Sequence, residues 1–390
     1  MSTPLLENLL ESRQTMLYQT YAKIHLDNIR DNLLAIREKV GPNVKICPAL
    51  KGNGYGHGSI PLAHLAEEAG MDWIGVATVP EGMDIRKAGI KLPILKFSPA
   101  FPDEMSAALE NDLTLAVIER ENIQLLQETA KNMGKQARVH LKVDTGMGRI
   151  GVQPEGAPDL ATFIEKQCPN LHLEGLFTHM PVADLADLDP FLYTENEIME
   201  FKDILTQVNQ AIGRDIEIAH CANSGDVLAH PNSWMDMVRP GIMIYGYYPD
   251  TSTSKTLYLK PGMSFYSRVS FVKKVKEGTP ISYGQTWVAP RDTYIATVPV
   301  GYADGYNRLF SSRGRMLING RSYQVAGRVC MDQTMLDLGP ETDVKAGDQV
   351  VLLGQSGDQV ISAYEWAEKL GTITYEVTTQ INPRVKRYYE

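Results

Sequence analysis

Lys51 closes a short apolar run at residues 44–51 and is followed at once by Gly-Asn-Gly-Tyr-Gly-His-Gly, four glycines in seven residues. A lysine ending an apolar strand sits in a partly desolvated place, which disfavours the ammonium form and makes the amine a better nucleophile toward a carbonyl. A lone strand-end lysine ordinarily reaches solvent. The neighbouring glycines shift that balance, because they let backbone approach a ligand closely. Gly52-Asn-Gly54 alone is a weak match to a dinucleotide-binding loop, since the rest of that fingerprint is missing. Further along, Asp144-Thr-Gly-Met-Gly-Arg149, Thr178-His179, His220-Cys-Ala-Asn-Ser224 and Arg239-Pro-Gly-Ile242 repeat the pattern of polar or glycine-rich residues after an apolar run.

These groups need elements to carry them. Short β-branched or apolar runs at 44–51, 73–79, 92–98, 113–118, 137–144, 173–179, 216–223 and 237–246 alternate with segments of helical periodicity such as 59–69, 121–133 and 195–211. Strand–helix alternation of this length predicts an α/β fold, a (β/α)8 barrel, with a doubly wound open sheet as the competing architecture. Barrel enzymes draw their reacting groups from the C-terminal ends of the strands, where all five clusters fall. The Ser224 hydroxyl and the amides near Gly241 and Ile242 follow the seventh and eighth strands, where barrels commonly bind phosphate. The last third changes character. Extended runs at 265–275, 293–300, 316–329 and 349–353, punctuated by Asn319-Gly320 and Gly347-Asp348, predict a mainly β C-terminal domain with one helix near 363–370. The expected division is an N-terminal extension at 1–18, the barrel at 19–255 and the β domain at 256–390.

Lys51-Gly-Asn-Gly-Tyr-Gly-His-Gly58 resembles the lysine signature of the alanine racemase family, K-A-N-A-Y-G-H-G. The likeness runs on through Val143-Asp-Thr-Gly-Met-Gly-Arg149, Phe177-Thr-His179, His220-Cys-Ala-Asn-Ser224, Arg239-Pro-Gly241, Ser282-Tyr-Gly284, Gly301-Tyr-Ala-Asp-Gly305, Cys330-Met-Asp-Gln333 and Tyr375-Glu-Val377. The motifs span nearly the whole chain in family order. Gly52 and Gly54 replace the family's usual alanines, which is expected to loosen the loop. Met180-Pro-Val182 and the longer segment near Asp184–Pro190 also depart from the pattern.

What the resemblance implies is racemisation of L- and D-alanine with pyridoxal 5′-phosphate (PLP), with a serine or broad-specificity amino-acid racemase as the alternative. Lys51 would hold PLP as a Schiff base and act as one acid/base group. Tyr283, contributed by a second subunit of a homodimer with shared active sites, would be the other. Tyr55, Asn223, Ser224, Gly241, Ile242 and Tyr375 would hold the phosphate end, and Arg239 would face the pyridine nitrogen. Arg149 would contact the phenolic oxygen and substrate, oriented by Lys142, which is carbamylated in the family. His179 would be the positive neighbour that a tyrosine base requires. Met331, Tyr302, Cys330 and Asp332 would bind the substrate or narrow its entrance. No metal is implied. The D-alanine would supply cell-wall peptidoglycan.

The bulk composition agrees with a small-molecule enzyme. A net charge of −9 without a basic run argues against nucleic acid or an anionic membrane as partner. Four unclustered cysteines predict free thiols in a reducing compartment. The N-terminus carries acidic residues where a signal peptide is basic, and no stretch reaches the roughly 20 apolar residues of a membrane span, so the cytoplasm is the expected location.

Overall fold

A computed structural model describes residues 17–390, so most of the expected N-terminal extension lies outside the described residues. The chain forms two compact units. One spans Ile29–Lys260; the other joins residues 17–28 to Pro261–Glu390. The structure therefore divides the chain differently from the expected 19–255 and 256–390. Strand β1 (Tyr21–Ile24) belongs with the C-terminal unit. Its four residues YAKI alternate half-buried and buried positions, a pattern that fits any one-sided sheet. Only its remote pairing partners decide where it goes.

The unit Ile29–Lys260 contains a strand at each of the eight expected places; seven are shorter than their apolar runs, and Leu171–Phe177 keeps the expected seven-residue length but begins two residues before 173–179. The eight are β2 (Lys45–Ile46), β3 (Ile74–Val76), β4 (Ile94–Lys96), β5 (Leu113–Val117), β6 (Ala137–Lys142), β7 (Leu171–Phe177), β8 (Ile218–His220) and β9 (Met237–Val238). β3 to β8 form a parallel sheet in sequence order, and β2 pairs with β9. Backbone bonds from Leu50 N to Gly75 O (2.8 Å) and from Gly75 N to Pro48 O (2.9 Å) join β2 to β3. Asp236 N to Ala219 O (3.2 Å) and Arg239 N to Ala222 O (2.9 Å) join β8 to β9, which closes the (β/α)8 barrel. Strands covered on both faces read as unbroken apolar runs: every residue of β3, β4 and β5 is buried. Cys47, Trp73, Leu95, Ile218 and Met237 pack together as a core cluster. The run expected at 237–246 stops at Val238, because Pro240 cannot donate to a ladder, and a short turn, Ile242–Tyr245, follows.

The second unit is mainly β. Its strands are β10 (Met263–Arg268), β11 (Phe271–Val275), β12 (Pro280–Ile281), β13 (Trp287–Val288), β14 (Thr293–Val298), β15 (Arg315–Ile318), β16 (Arg321–Val325), β17 (Thr334–Gly339), β18 (Gln349–Ser356), β19 (Gln359–Ile361) and β20 (Lys386–Tyr389). The large sheet runs β11-β14-β17-β16-β15-β18-β10-β1-β20, with β19 beside β18. β12 and β13 make a separate hairpin around residues 282–286. The helix expected near 363–370 is present at Ala363–Leu370, with Ser362 as its N-cap. Of the four free cysteines, three are buried and Cys330 is half-buried.

Candidate active site

Lys51 follows the buried pair Ala49-Leu50 at the C-terminal end of β2 and is half-buried itself. The next three residues are left-handed: Gly52 (φ 62°, ψ 42°), Asn53 (φ 52°, ψ 49°) and Gly54 (φ 60°, ψ 47°), and Tyr55 continues at φ 50°. A left-handed turn costs an ordinary residue roughly 1–2 kcal/mol, while glycine adopts it freely. The two glycines thus relieve strain in a fixed turn, which corrects the expectation that they loosen it. Asn53 Oδ1 accepts from Ser59 N (3.1 Å) and ties the turn to the helix Ser59–Glu68. Gly54→Ala should destabilise the protein by about 1–2 kcal/mol. The added Cβ would stand 3.0 Å from Leu62 Cδ1 as well. An unchanged urea midpoint would contradict the assigned backbone conformation.

Tyr55 is buried and stacks on Tyr245 at 4.8 Å between ring centres, while the Tyr245 hydroxyl donates to Ala49 O at 2.7 Å. Burial pushes the Tyr55 phenol up, so it stays protonated and able to donate. Ser224 Oγ accepts from Gly241 N at 2.8 Å. A Cβ on Gly241 would lie 2.7 Å from Tyr55 Oη, so only glycine permits this approach. The two hydroxyls and the opening amides of the turn Ile242–Tyr245, which lack partners within the turn, gather groups of the kind that bind a phosphate. Asn223, expected among the cofactor ligands, serves otherwise. Its Oδ1 accepts from Gly225 N and Asp226 N as N-cap of the helix Ser224–Ala229, and its Nδ2 donates to Met180 O. Its side chain is occupied in presenting Ser224.

Arg239 is buried and held by three hydrogen bonds. It donates to His220 Nδ1 (2.7 Å), Thr178 O (2.7 Å) and Cys221 O (2.9 Å). Because a guanidinium only donates, His220 Nδ1 must accept, which leaves the His220 proton on Nε2. That nitrogen faces His140 Nδ1 at 2.8 Å, and His140 Nε2 faces Glu174 Oε2 at 3.2 Å. A single chain of donors therefore runs from Arg239 to a carboxylate. The sequence reading missed His140 and Glu174. The available signal was a histidine and a glutamate embedded in the apolar runs of β6 and β7. His220 stacks on Phe177 at 4.7 Å.

The charges converge at this end of the barrel. Lys142 is 4 % exposed, and burial together with Arg239, Arg149 and Lys51 lowers its amine to about 7. Burial, then Arg149, also lowers the Lys51 amine, with Glu81 opposing and Arg239 adding. Burial and the same cations hold His179 well below the ordinary histidine range. His179 is therefore neutral at pH 7, which corrects its expected role as a positive neighbour; the positive charge resides in Arg239 and Arg149. Asp144 shapes the loop that carries Arg149, accepting from Gly146 N, Gly148 N and Arg149 N. The Arg149 side chain is exposed and has no ion pair among the described residues. Arg149 and Arg239, with the Lys51 and Lys142 amines close enough to feel them, give this end of the barrel a field suited to anions.

The remaining expected residues lie in the β-rich unit. Tyr283 sits on the hairpin loop between β12 and β13 and is 71 % exposed. The loop is strained: Ser282 has φ 67° and ψ 179°, a region used almost only by glycine, and Gln285 has φ 50°. Ser282 Oγ donates to Arg328 O at 2.6 Å and lies 3.6 Å from Cys330 Sγ. Tyr302 N donates to Cys330 O and Ala303 N to Met331 O, both at 3.1 Å. Tyr302 and Met331 are exposed, so Tyr283, Tyr302, Cys330 and Met331 occupy linked loops. Asp332, expected to meet substrate, is instead paired with Arg384 (2.7 Å), which also holds the buried Asp304 at 2.7 Å. Tyr375 is half-buried on the helix Thr374–Thr379.

Comparison with known proteins gives a consistent family. Residues 24–249 match the model for the alanine racemase N-terminal domain, and residues 262–389 match that for the alanine racemase C-terminal domain. A curated alanine racemase of Desulforamulus reducens is 42% identical over 372 residues, covering 95% of this chain and 98% of that protein. One from Cutibacterium acnes is 41% identical, covering 95% and 97%. The solved alanine racemase of Clostridium difficile superposes with a TM-score of 0.91 at 37% identity, covering 96% of this chain and 97% of that one. Among the described residues no helix is long and apolar enough to cross a membrane.

Proposed function

This chain belongs to the alanine racemase family, and from that premise we propose that it interconverts L- and D-alanine with PLP held on Lys51. The observation that carries the reading is the pairing of a hydroxyl-lined cradle with two arginines, Arg149 and Arg239, and two lysines whose amines are lowered, Lys51 and Lys142. It fits a cofactor with a phosphate and a phenolic oxygen, and a substrate with a carboxylate. Tyr55, Ser224 and the amide of Ile242 would receive the phosphate, with Gly241 N holding Ser224 Oγ in place, and Arg239 would meet the ring nitrogen. PLP supplies an electron-withdrawing ring that makes the substrate Cα proton acidic.

The protein's own groups then move that proton. Lys51, with its amine lowered by burial and nearby cations, is suited to take a proton from Cα on one face or return it. Inversion needs a second group on the opposite face, and we assign it to the partner subunit's Tyr283 in a homodimer. Its exposure on a strained loop supports this, because such strain concentrates where function holds it. Arg239 cannot accept a proton and, being cationic, would disfavour a protonated ring nitrogen on a bound cofactor. The His220–His140–Glu174 chain fixes it in that donor role, which favours proton return at Cα over transfer of the amino group. Met331 and Tyr302 would frame the substrate. The D-alanine formed would serve cell-wall peptidoglycan, in the cytoplasm. The direct test supplies PLP and L-alanine to the purified protein and measures D-alanine by coupled D-amino-acid oxidation. Accumulation of D-serine from L-serine, with no D-alanine from alanine, would move the substrate assignment.

Lys142 adds a second prediction. An amine lowered to about 7 is substantially uncharged at pH 7–8 and can add carbon dioxide, giving a carbamate and a released proton. That replaces one cation of the cluster with an anion beside Arg149. The expected result is a carbamate resonance after incubation with ¹³C-bicarbonate, absent in Lys142→Ala. Below about pH 7 the amine is protonated, so the resonance and the activity should fall together. A wild-type protein with no such resonance at pH 8 would overturn the assignment.

A further inference from the structure

Glu81 lies outside every expected site residue, yet its carboxylate reaches the peptide next to Lys51. It occupies the third position of the helix Val79–Lys87, where it completes a capping box with Thr78. Its Oε2 accepts from Ala77 N (2.9 Å) and Thr78 N (3.2 Å), as helix capping requires. Oε1 does something that capping does not explain. It crosses from the loop after β3 to the loop after β2 and accepts from Gly52 N at 2.7 Å. Gly52 is the first residue of the left-handed turn, and its amide is the first one after Lys51.

We infer that Glu81 is a positioning residue for the reaction, fixing the Lys51–Gly52 peptide and with it the direction of the Lys51 amine. The inference rests on the reading of Lys51 as cofactor carrier and base. The rest of the turn is held from within and from its far end: Gly54 N donates to Leu50 O (2.8 Å), Gly58 N to Asn53 O (2.8 Å), and Ser59 N to Asn53 Oδ1 (3.1 Å). At the near end Leu50 N is held on Gly75 O, and the Gly52 amide itself is held by Glu81. A carboxylate with both oxygens held by amides is geometrically fixed, so it locates Gly52 relative to β3. Its charge also opposes Arg149 and Arg239 at Lys51 and keeps the amine more basic than those cations alone would allow. The same carboxylate thus sets where the amine points and how readily it holds a proton.

Glu81→Gln keeps the size but offers one acceptor oxygen, so either Gly52 N or the Ala77/Thr78 amides lose their partner. Thr78→Ala is the control, because it weakens the helix cap and leaves the Gly52 bond in place. Four quantities are measured for each: the thermal midpoint, the rate at which the apoenzyme captures PLP, kcat and KM for alanine, and the pH at which kcat rises. Glu81→Gln should lower both the capture rate and kcat by about tenfold or more, the scale of one charge-assisted hydrogen bond, with KM nearly unchanged. Removing the anion lowers the Lys51 amine further, so the rising limb of kcat should move to lower pH. Thr78→Ala should lose stability with its capture rate and pH limb unmoved. If Glu81→Gln loses only stability, and matches Thr78→Ala in every other measurement, the inference is wrong. Borohydride reduction and peptide mapping of the wild type separate the two layers. Label absent from Lys51 overturns the cofactor assignment, whereas label on Lys51 with an unaffected Glu81→Gln overturns only the role of Glu81.

Discussion

Lys51→Ala should abolish racemisation in both directions. On the proposed roles, two functions disappear with one side chain: attachment of the cofactor and one of the two proton transfers. Loss of a general acid/base group alone typically costs 10²–10⁴-fold, and loss of attachment comes on top of it. Three observations support the assignment. Lys51 stands at a strand end before a left-handed turn, its amine is lowered by burial and by Arg149 and Arg239, and the phosphate cradle is built from the same barrel unit. The variant should remain folded, because Lys51 is half-buried at the pocket rather than in the packed core. Its unfolding midpoint is the control. Retention of more than about a hundredth of wild-type turnover would defeat the assignment.

The second large effect is recovery of activity by mixing two inactive proteins. If Lys51 and the partner subunit's Tyr283 serve opposite faces of one Cα, each site needs both subunits. Lys51→Ala and Tyr283→Phe should each be nearly inactive alone. After subunit exchange, a mixed dimer has one site lacking both groups and one site with both intact. Random pairing makes about half the dimers mixed, and each keeps one of two sites, so activity should approach about a quarter of wild type. Each variant must first be shown dimeric, and Tyr283→Phe loaded with PLP. Exchange demonstrated by mass or tag, with activity still absent, would place both groups in one chain's site.

The barrel was legible because its strands lie between layers and so read as short unbroken apolar runs, with polar clusters marking their C-terminal ends. Lys51, Ser224, Gly241 and Arg239 stood out by the same pattern, polar or glycine-rich residues following an apolar run, whereas Tyr55 came only from the family resemblance. The strand lengths were not, since Pro240 and the bends into loops shorten ladders that composition alone would extend. Nor was the placement of Tyr21–Ile24, whose partners Met263–Arg268 and Lys386–Tyr389 lie at the other end of the chain.

By itself the sequence determined the fold class, the family and the set of chemical groups available, since these follow from local periodicity and from motifs that are contiguous in the chain. Tertiary structure decided what several of those groups do. Asn223 and Asp332 carry the right chemistry for ligands, but a hydrogen-bonding side chain is spent on whichever partners the fold brings near it, here the start of a helix and Arg384. His179 is an ordinary histidine in the sequence and a neutral one in the barrel, because its charge depends on burial and on cations delivered by other strands. Glu81 reads as a helix cap until its second oxygen is seen on the Gly52 amide. Protonation state and hydrogen-bond partnership are sums over neighbours in space, and a linear sequence does not order its residues by that distance.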